Sequence, residues 1–417
     1  MSGVPDDGGR APSRTSNSAS STARVLRPWH FVVAFGVVSL LADMVYEGAR
    51  SIIGPYLATL GASATVVGLV AGAGEFIGYG LRVVSGYAVS RSRHYWTWTI
   101  LGYTLTVLSV PLIGVTGILA PGLLLYGTER LGKAVRSPAK DTLLSHASTQ
   151  TGRGSAFGVH QALDQTGAML GPLLLAAILG WKEGDYRLAF LSLAIPGVLV
   201  LVLLFWLRHR VPDPRVYEEA APAAVAPESA AEPAPARRLP ARFWQYTGVI
   251  AVLSVGVAPF PLLAFHAQTH GLLSDAQVPL IFALAMAVDG ASGLIMGRVY
   301  DRSGPLTLVA VPLAALLSLL AFLENAVWIW VGVAVWGVVN GVLDSTVKAV
   351  VTELVPSTSR AVAFGWLAFV RGVGLLVAGG VLGAAYDAGV PVAVALAAAA
   401  NVVAFAGLAV VLRRLKG

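Results

Sequence analysis

The sequence predicts an all-α membrane protein of twelve spanning helices, grouped as two related bundles of six. Composition is the first reason. Of 417 residues, 56% are hydrophobic and only 12% are charged, about half the charge that a domain facing water on all sides carries. Length of apolar run is the second. Residues 188–207, 303–323, 325–343 and 388–412 contain no Asp, Glu, Lys or Arg, and each reaches the roughly 20 residues that cross the hydrocarbon core as a helix. The third is a repeat of long period: Arg153-Gly-Ser-Ala-Phe-Gly158 returns as Arg360-Ala-Val-Ala-Phe-Gly365, as in a chain built from two similar halves.

Apolar stretches and their breakers place the spans at 29–60, 65–90, 96–117, 121–146, 153–181, 187–208, 243–270, 276–300, 305–323, 326–354, 360–386 and 390–412. Residues 1–27, rich in Ser, Arg, Gly and Pro, lack the apolar content for a core and read as a disordered cytoplasmic tail, not a cleaved signal peptide. The first bundle takes 28–210 and the second 243–417. Between them 211–242, dense in Ala, Pro and Glu, reads as a loose cytoplasmic linker.

Loop charge sets the orientation. Arg10, Arg14, Arg24 and Arg27, then Arg91 and Arg93, Arg153, Arg208 to Arg215, Arg298 and Arg302, Arg360, and Arg413 to Lys416 all fall on one side. The alternate turns at 61–65, 114–121 and 269–277 hold no Lys or Arg, and in the fourth Glu183 and Asp185 offset Lys182 and Arg187. Positive residues stay cytoplasmic, so both termini lie inside a cytoplasmic (inner) membrane. The same loops account for the formal net charge of +7 without a nucleic-acid partner. The absence of cysteine excludes disulfides and thiolate chemistry.

The repeat keeps its register. Gly167 falls opposite Gly374, Asp164 opposite Arg371, and the Gly86 to Arg91 stretch opposite Gly297 to Arg302. Gly297-Arg-Val-Tyr-Asp301-Arg302-Ser-Gly304 carries the Gly, Asp-Arg, Gly pattern of the loop motif of the major facilitator superfamily, which the chain resembles from about residue 29 to its end. The first copy, Gly86-Tyr-Ala-Val-Ser90-Arg91-Ser-Arg93, has Ser90 in place of the Asp and Arg93 in place of the second Gly. Gly167-Ala-Met-Leu-Gly171-Pro172 is similar to the fifth-helix motif of the drug/proton antiporter branch, with Ala176-Ala177 where that branch has a glycine pair. Asp43-Met-Val-Tyr-Glu47 and the run from Glu129 to Asp141 resemble a bacterial and archaeal subgroup. The resemblance implies the two-bundle fold and a small-molecule substrate carried by alternating access. It also implies a monomer in the lipid bilayer, no cofactor, and a gating loop built on Gly86, Arg91, Gly297, Asp301, Arg302 and Gly304. The antiporter likeness implies export.

At about 1.5 Å rise per residue, Asp43 lies roughly 20 Å into the first span, with Glu47 one turn further. Glu75, Glu129, Lys133 and Asp164 fall in the middle third of theirs. Ionisable groups are costly in lipid, so these face the bundle interior and pair or meet water. Glu129, Lys133, Arg136 and Lys140 recur at intervals of four, three and four, which charges one face of the fourth span. Two chemistries follow. A carboxylate in an alternately accessible cavity can carry a proton, and Asp43, Glu47, Glu75, Glu129 and Asp164 are the candidates. Asp43 and Glu75 lead, because neither has a cation three or four residues away on its own helix. A cationic stripe can hold a carboxylate or phosphate, and Lys133, Arg136, His160, Asp289, Asn340, Asp344 and Arg371 are candidates for the substrate cavity. Against both stand standing ion pairs of purely structural use: Glu129 with Lys133, Asp344 with Lys348, Arg371 with Asp289.

His266 and His270 sit four apart without an acid or cysteine to complete a metal site, and read as residues of the outer mouth. Gly68, Gly72, Gly74 and Gly78, with Gly290, Gly293 and Gly297, suit close helix packing. Trp328, Trp330 and Trp336 read as anchors or core. These features favour a proton-coupled exporter of a small organic solute, with an organic-anion porter as the rival. A non-transporting sensor or lipid-handling bundle leaves the repeat and the mid-depth charges unexplained. No enzyme is expected: a His-Glu metal motif, a phosphate-cradling Gly loop and a Ser-His triad pattern are all missing.

Overall fold

A computed structural model describes residues 26–219, 239–356 and 359–416. The N-terminal tail, apart from its last two residues, and most of the linker lie outside these. The first half consists of α1 (Pro28–Thr59), α2 (Ala64–Ser92), α3 (Tyr95–Thr116), α4 (Leu119–Thr151), α5 (Arg153–Trp181) and α6 (Tyr186–Arg210). The second consists of α7 (Ala241–Thr269), α8 (Gln277–Ser303), α9 (Pro305–Phe322), α10 (Ala326–Leu354), α11 (Arg360–Ala388) and α12 (Val390–Lys416). Every predicted span is a helix, and the largest boundary shift is the C-terminal extension of α4 to Thr151. Eleven of the twelve are long and apolar enough to cross a bilayer. The exception, α4, is the longest at 33 residues and carries its charge for the reason given below.

Local chemistry sets the ends and breaks. Ser63, Asp185 and Asn325 cap α2, α6 and α10 by accepting backbone N–H bonds from Val66, Leu188 and Val327. Proline cannot donate and collides with the carbonyl four residues back. Accordingly α6 breaks after Ser192, four before Pro196, and α7 breaks after Val255, four before Pro259. The carbonyls freed in α7 find partners from other helices. Trp336 Nε1 donates to the Ala258 carbonyl and Asn401 Nδ2 to the Gly256 carbonyl, both at 2.9 Å, which makes a broken helix tolerable at membrane depth. Trp336 is thus a buried core residue with a polar duty.

The start of the predicted linker is docked rather than loose. Val211 and Tyr217 are buried, Trp96 Nε1 donates to the Val211 carbonyl at 3.0 Å and Tyr217 Oη to the Leu26 carbonyl at 2.8 Å. An Ala- and Pro-rich average conceals two side chains with enough apolar area to hold the segment down.

With twelve alternating spans, both chain ends share one face. The halves meet tightly toward the opposite face. There Gly68 and Gly72 of α2 press against Gly379 and Leu375 of α11, and a methyl group at Gly72 would lie 2.5 Å from the Leu375 carbonyl oxygen. Asp387, at the end of α11, accepts from the Ala64 and Thr65 backbone N–H at 3.0 and 2.9 Å and so caps α2 from the other half. Tyr186 Oη donates to Asp275 at 2.7 Å, a second tie across the same face. Toward the chain-end face Gly78 and Gly297 have no neighbour within 4 Å of an added Cβ, so the glycine seam is confined to the closed end.

Candidate functional site

A cavity of about 730 Å³ lies between the halves, walled by α1, α2, α4 and α5 on one side and α7, α8, α10 and α11 on the other. Its wall residues nearest the chain-end face, Asp141, Phe157, Gln161 and Lys348, are exposed, whereas Glu47, Ala258, Met286 and Trp336 at the far end are buried. The cavity therefore opens toward the face that carries the chain ends and is sealed at the other.

Of the acids and cations singled out at mid-depth, all but Glu129 line this cavity. Glu129 is 1% exposed and turns away into a chain of ion pairs. Arg130 Nε lies 2.9 Å from Glu129, its Nη1 3.5 Å from Glu75, Arg50 reaches Glu75 at 3.3 Å and Glu47 at 3.5 Å, and Lys133 stands 4.0 Å from Glu47. Three carboxylates meet three cations across α1, α2 and α4, so the burial of each is offset by its neighbours. This corrects two expectations. Glu129 pairs with Arg130 and not Lys133, and Glu75 is held by cations from two other helices. Same-helix spacing is blind to partners across a helix interface.

A second cluster joins α4 to α5. Lys140 Nζ lies 3.6 Å from Asp164 and donates to His160 Nε2 at 3.0 Å, and Ser39 Oγ stands 3.2 Å from the same nitrogen. In the second half Arg371 donates to Asp344 at 2.6 Å, not to Asp289, and Asp344 takes Arg371 rather than Lys348 as its contact partner. Asn340 spends its Nδ2 on the Trp336 carbonyl at 2.9 Å while lining the cavity.

Of the sequence candidates on the wall, three charged groups have no opposite charge in contact among the described residues: Asp43, Asp289 and Arg136; Arg82, Asp141 and Lys348, also on the wall, have none either. Asp43 is 6% exposed and Asp289 half-buried, and both line the cavity. Arg136, 3% exposed, has its guanidinium carbon 4.3 Å from the Tyr103 ring centroid and 5.3 Å from that of Tyr46. Lys133 Nζ sits 4.2 Å from the Tyr46 centroid, and Tyr79 is flanked by Arg82 and Arg371, each at 5.4 Å. The tyrosines and Arg50, Arg82 and Arg130 were absent from the sequence candidates. Tyr46, three residues after Asp43, and Arg50, three after Glu47, carried a usable helical signal; Arg130 and Tyr103 carried none.

The loop-motif residues lie outside the cavity, at the chain-end face. Arg91 Nη1 donates to Tyr87 Oη at 3.3 Å, Asp301 and Arg302 are exposed, a Cβ at Gly86 would lie 3.8 Å from the Pro138 side chain while one at Gly297 would meet nothing within 4 Å, and Gly304 ends α8 at φ +74°. His266 is not a mouth residue. It is fully buried, with Nδ1 2.8 Å from Tyr386 Oη, while His270 is exposed. No cluster of three or more metal-ligating side chains occurs among the described residues.

Residues 35–379 match the family profile of the Major Facilitator Superfamily. An uncharacterized protein of Mycobacterium tuberculosis is 49% identical over 370 residues, covering 88% of this chain and 89% of its own length. An uncharacterized MFS-type transporter of Methanocaldococcus jannaschii is 28% identical over 183 residues, 44% of this chain and 46% of that protein. In fold the chain is similar to the nucleoside transporter NupG, with a TM-score of 0.71 at 12% identity over 91% of this chain and 98% of that one. It is similar also to the peptide transporter POT in complex with sulfate, with a TM-score of 0.71 at 17% identity over 92% and 95%. The profile match begins inside α1 and ends inside α11, so it takes in both halves and every residue of the cavity wall. The chain belongs to the Major Facilitator Superfamily, as a multi-pass membrane transporter and not an enzyme.

Proposed function

We propose that the chain is a proton-coupled carrier of a small organic solute in the cytoplasmic membrane, a monomer with both termini cytoplasmic, and that Asp43 is its proton site. One observation supports this above the others. Asp43 is a carboxylate buried at mid-membrane on the wall of a cavity open to one face, with no hydrogen bond or ion pair among the described residues. A structural acid at that depth is paired, as Glu47, Glu75 and Glu129 are. A carboxylate left without a fixed partner is free to exchange its proton with whichever face the cavity meets. Asp289 has the same standing in the second half and is the runner-up.

The positive loops favour a cytoplasmic chain-end face, and with that orientation the cavity is open inward. The exposure of Asp301 and Arg302 suits that state, in which the family's loop latch is undone. Gly167 and Gly171, which carry the antiporter likeness, are packed against the α1 backbone at Leu40 and Met44, a packing role that either direction of transport requires.

The test uses energised inside-out vesicles from cells producing the full chain. A panel of small organic acids, amines and neutral solutes is added while the lumenal pH is followed. At least one compound is expected to dissipate the pH gradient with the natural chain and to leave it intact with Asp43→Asn. Solute movement that ignores both an uncoupler and Asp43→Asn would sink the proton role.

A further inference from the structure

We propose that Arg136 is the anchor for an oxyanion, a carboxylate or a phosphate, carried by the transported solute. The inference rests on the transporter reading of the same cavity and adds the chemical class of what it holds.

Three cations of α4, Lys133, Arg136 and Lys140, line the cavity at intervals of three and four residues. Their surroundings differ. Lys133 has Glu47 at 4.0 Å and Lys140 has Asp164 at 3.6 Å. Arg136 has no carboxylate within 4.0 Å among the described residues, and its Nε and Nη2 are buried without a hydrogen-bond partner. An arginine does not give up its proton, so its charge persists at that depth and needs compensation. A structural arginine finds it in backbone carbonyls or a standing acid. Here there is neither.

What the site does supply is orientation. The Tyr46 and Tyr103 rings hold the guanidinium carbon at 5.3 and 4.3 Å, and Tyr103 Oη is itself tied to Ser39 Oγ at 3.3 Å. A guanidinium fixed by aromatic contact, with its charge uncompensated, keeps its cavity-side nitrogen for a planar or tetrahedral oxyanion, which it can meet with a charge-assisted bond. Lys133 and Lys140 flank it and add attraction without blocking it. Other cavity cations are less suited: Arg371 is committed to Asp344 at 2.6 Å, Lys348 is exposed, and Arg82, whose Nε is also buried without a partner, is only half-buried where Arg136 is 3% exposed. The facing wall from the second half includes Ala258, Met286 and Trp336, an apolar surface for an organic body beyond the anionic group. An organic anion with an apolar portion fits both walls.

The full-length chain in nanodiscs of zwitterionic lipid is titrated with benzoate, inorganic phosphate, choline and glucose at constant ionic strength, with thermal stabilisation as the readout. Benzoate is expected to stabilise saturably, phosphate more weakly, and choline and glucose not at all. Arg136→Gln should weaken benzoate by at least about tenfold, the scale of one lost charge-assisted pair, while Arg208→Gln, exposed and off the cavity wall, leaves it unchanged. If Arg136→Gln does not fold, Arg136→Lys carries the test: it keeps the charge, loses the planar group that the Tyr46 and Tyr103 rings hold in place, and should bind several-fold more weakly. Equal benzoate affinity in the Arg136 variants, or no stabilisation of the natural chain by either anion, overturns the inference. The chain contains no cysteine, so spin-label pairs at Ser90→Cys with Arg298→Cys and at Lys182→Cys with Ser274→Cys report the two faces separately. Exchange between two sets of distances without Arg136-dependent anion binding leaves the transporter reading standing and removes the anchor. Anion binding without any exchange does the reverse.

Discussion

The two halves share a backbone plan and differ in chemistry. Around the first half, Glu47, Glu75 and Glu129 interlock with Arg50, Arg130 and Lys133 over three helices. Among the described residues the second half has one ion pair in the cavity, Asp344 with Arg371, and leaves Asp289 and Lys348 unpaired. The repeat even reverses sign. Asp164 and Arg371 occupy equivalent positions on α5 and α11, and each pairs with the preceding cavity helix, Asp164 with Lys140 of α4 and Arg371 with Asp344 of α10. Repetition thus fixes which helix faces meet the cavity, and substitution decides what they present. The result is a densely charged wall opposite one that mixes charged and apolar side chains.

The difference predicts unequal costs for removing one arginine from each half. Arg130 is 1% exposed, and both Glu75 and Glu129 depend on it. Arg130→Met strands a buried carboxylate and should cost about 3–5 kcal/mol, the range for breaking a buried pair from one side. Little folded protein is expected by size-exclusion chromatography, and what survives should melt well below the natural chain. Arg371→Met leaves behind Asp344, whose side chain is 51% exposed to the cavity. Water can solvate it, so the loss should be about 1 kcal/mol. Equal losses would mean that the first-half network is no more structural than the second-half pair.

The helices are legible because apolar length acts locally: each span follows from the chain itself, although 243–270 reads as one span and its break before Pro259 appears only in the structure. Which side chains reach the cavity was also largely legible, since helical spacing and depth are geometric. Pairing was not. Glu75 looked unpartnered because Arg50 and Arg130 come from other helices, and Glu129 looked matched to Lys133 because sequence spacing cannot rank it against a neighbour, Arg130, that folds back. Tyr46 shares a helix face with Asp43 and could be read from spacing, whereas Tyr103 comes to Arg136 from another helix, and aromatic contact with a cation has no sequence period. His266 was misplaced for a related reason: a histidine near a helix end looks exposed unless one knows that Tyr386 and Phe322 close over it.

The halves also differ in how they cap their helices, and this separates stability from conformation. Asp185 caps α6 within the first half by accepting from the Leu188 N–H at 2.9 Å. Asp387 does the same for α2 but reaches across from the second half. Either residue changed to Ala should cost about 1 kcal/mol of cap energy. Only Asp387→Ala spends that loss on one conformation, because its bonds break when the sealed face opens. It should therefore shift the equilibrium toward the state open at that face by about fivefold, read as a longer spin-label distance between Lys182→Cys and Ser274→Cys. Asp185→Ala should lower the melting temperature and leave the distance distribution alone. An unchanged distribution in Asp387→Ala would show that the seal is carried by the glycine seam and not by the cap.

The smallest expected effect lies where the two loop motifs diverge. Gly304 ends α8 at φ +74° and ψ −170°, and Arg93 ends α2 at φ +55° and ψ +16°. The first conformation is one that glycine alone occupies without strain, so the second-half motif keeps its glycine. The second lies in the left-handed helical region, which a side chain enters at roughly 1–2 kcal/mol. Arginine is thus tolerated at 93 though not favoured, and there it adds to the positive charge of that face. Arg93→Gly should relieve the backbone but loosen the unfolded chain, which returns about 0.5–1 kcal/mol. A net gain of about 0–1.5 kcal/mol remains, at most a rise of a few degrees in melting temperature. A fall instead would mean that the arginine side chain makes a contact worth more than the strain of its backbone.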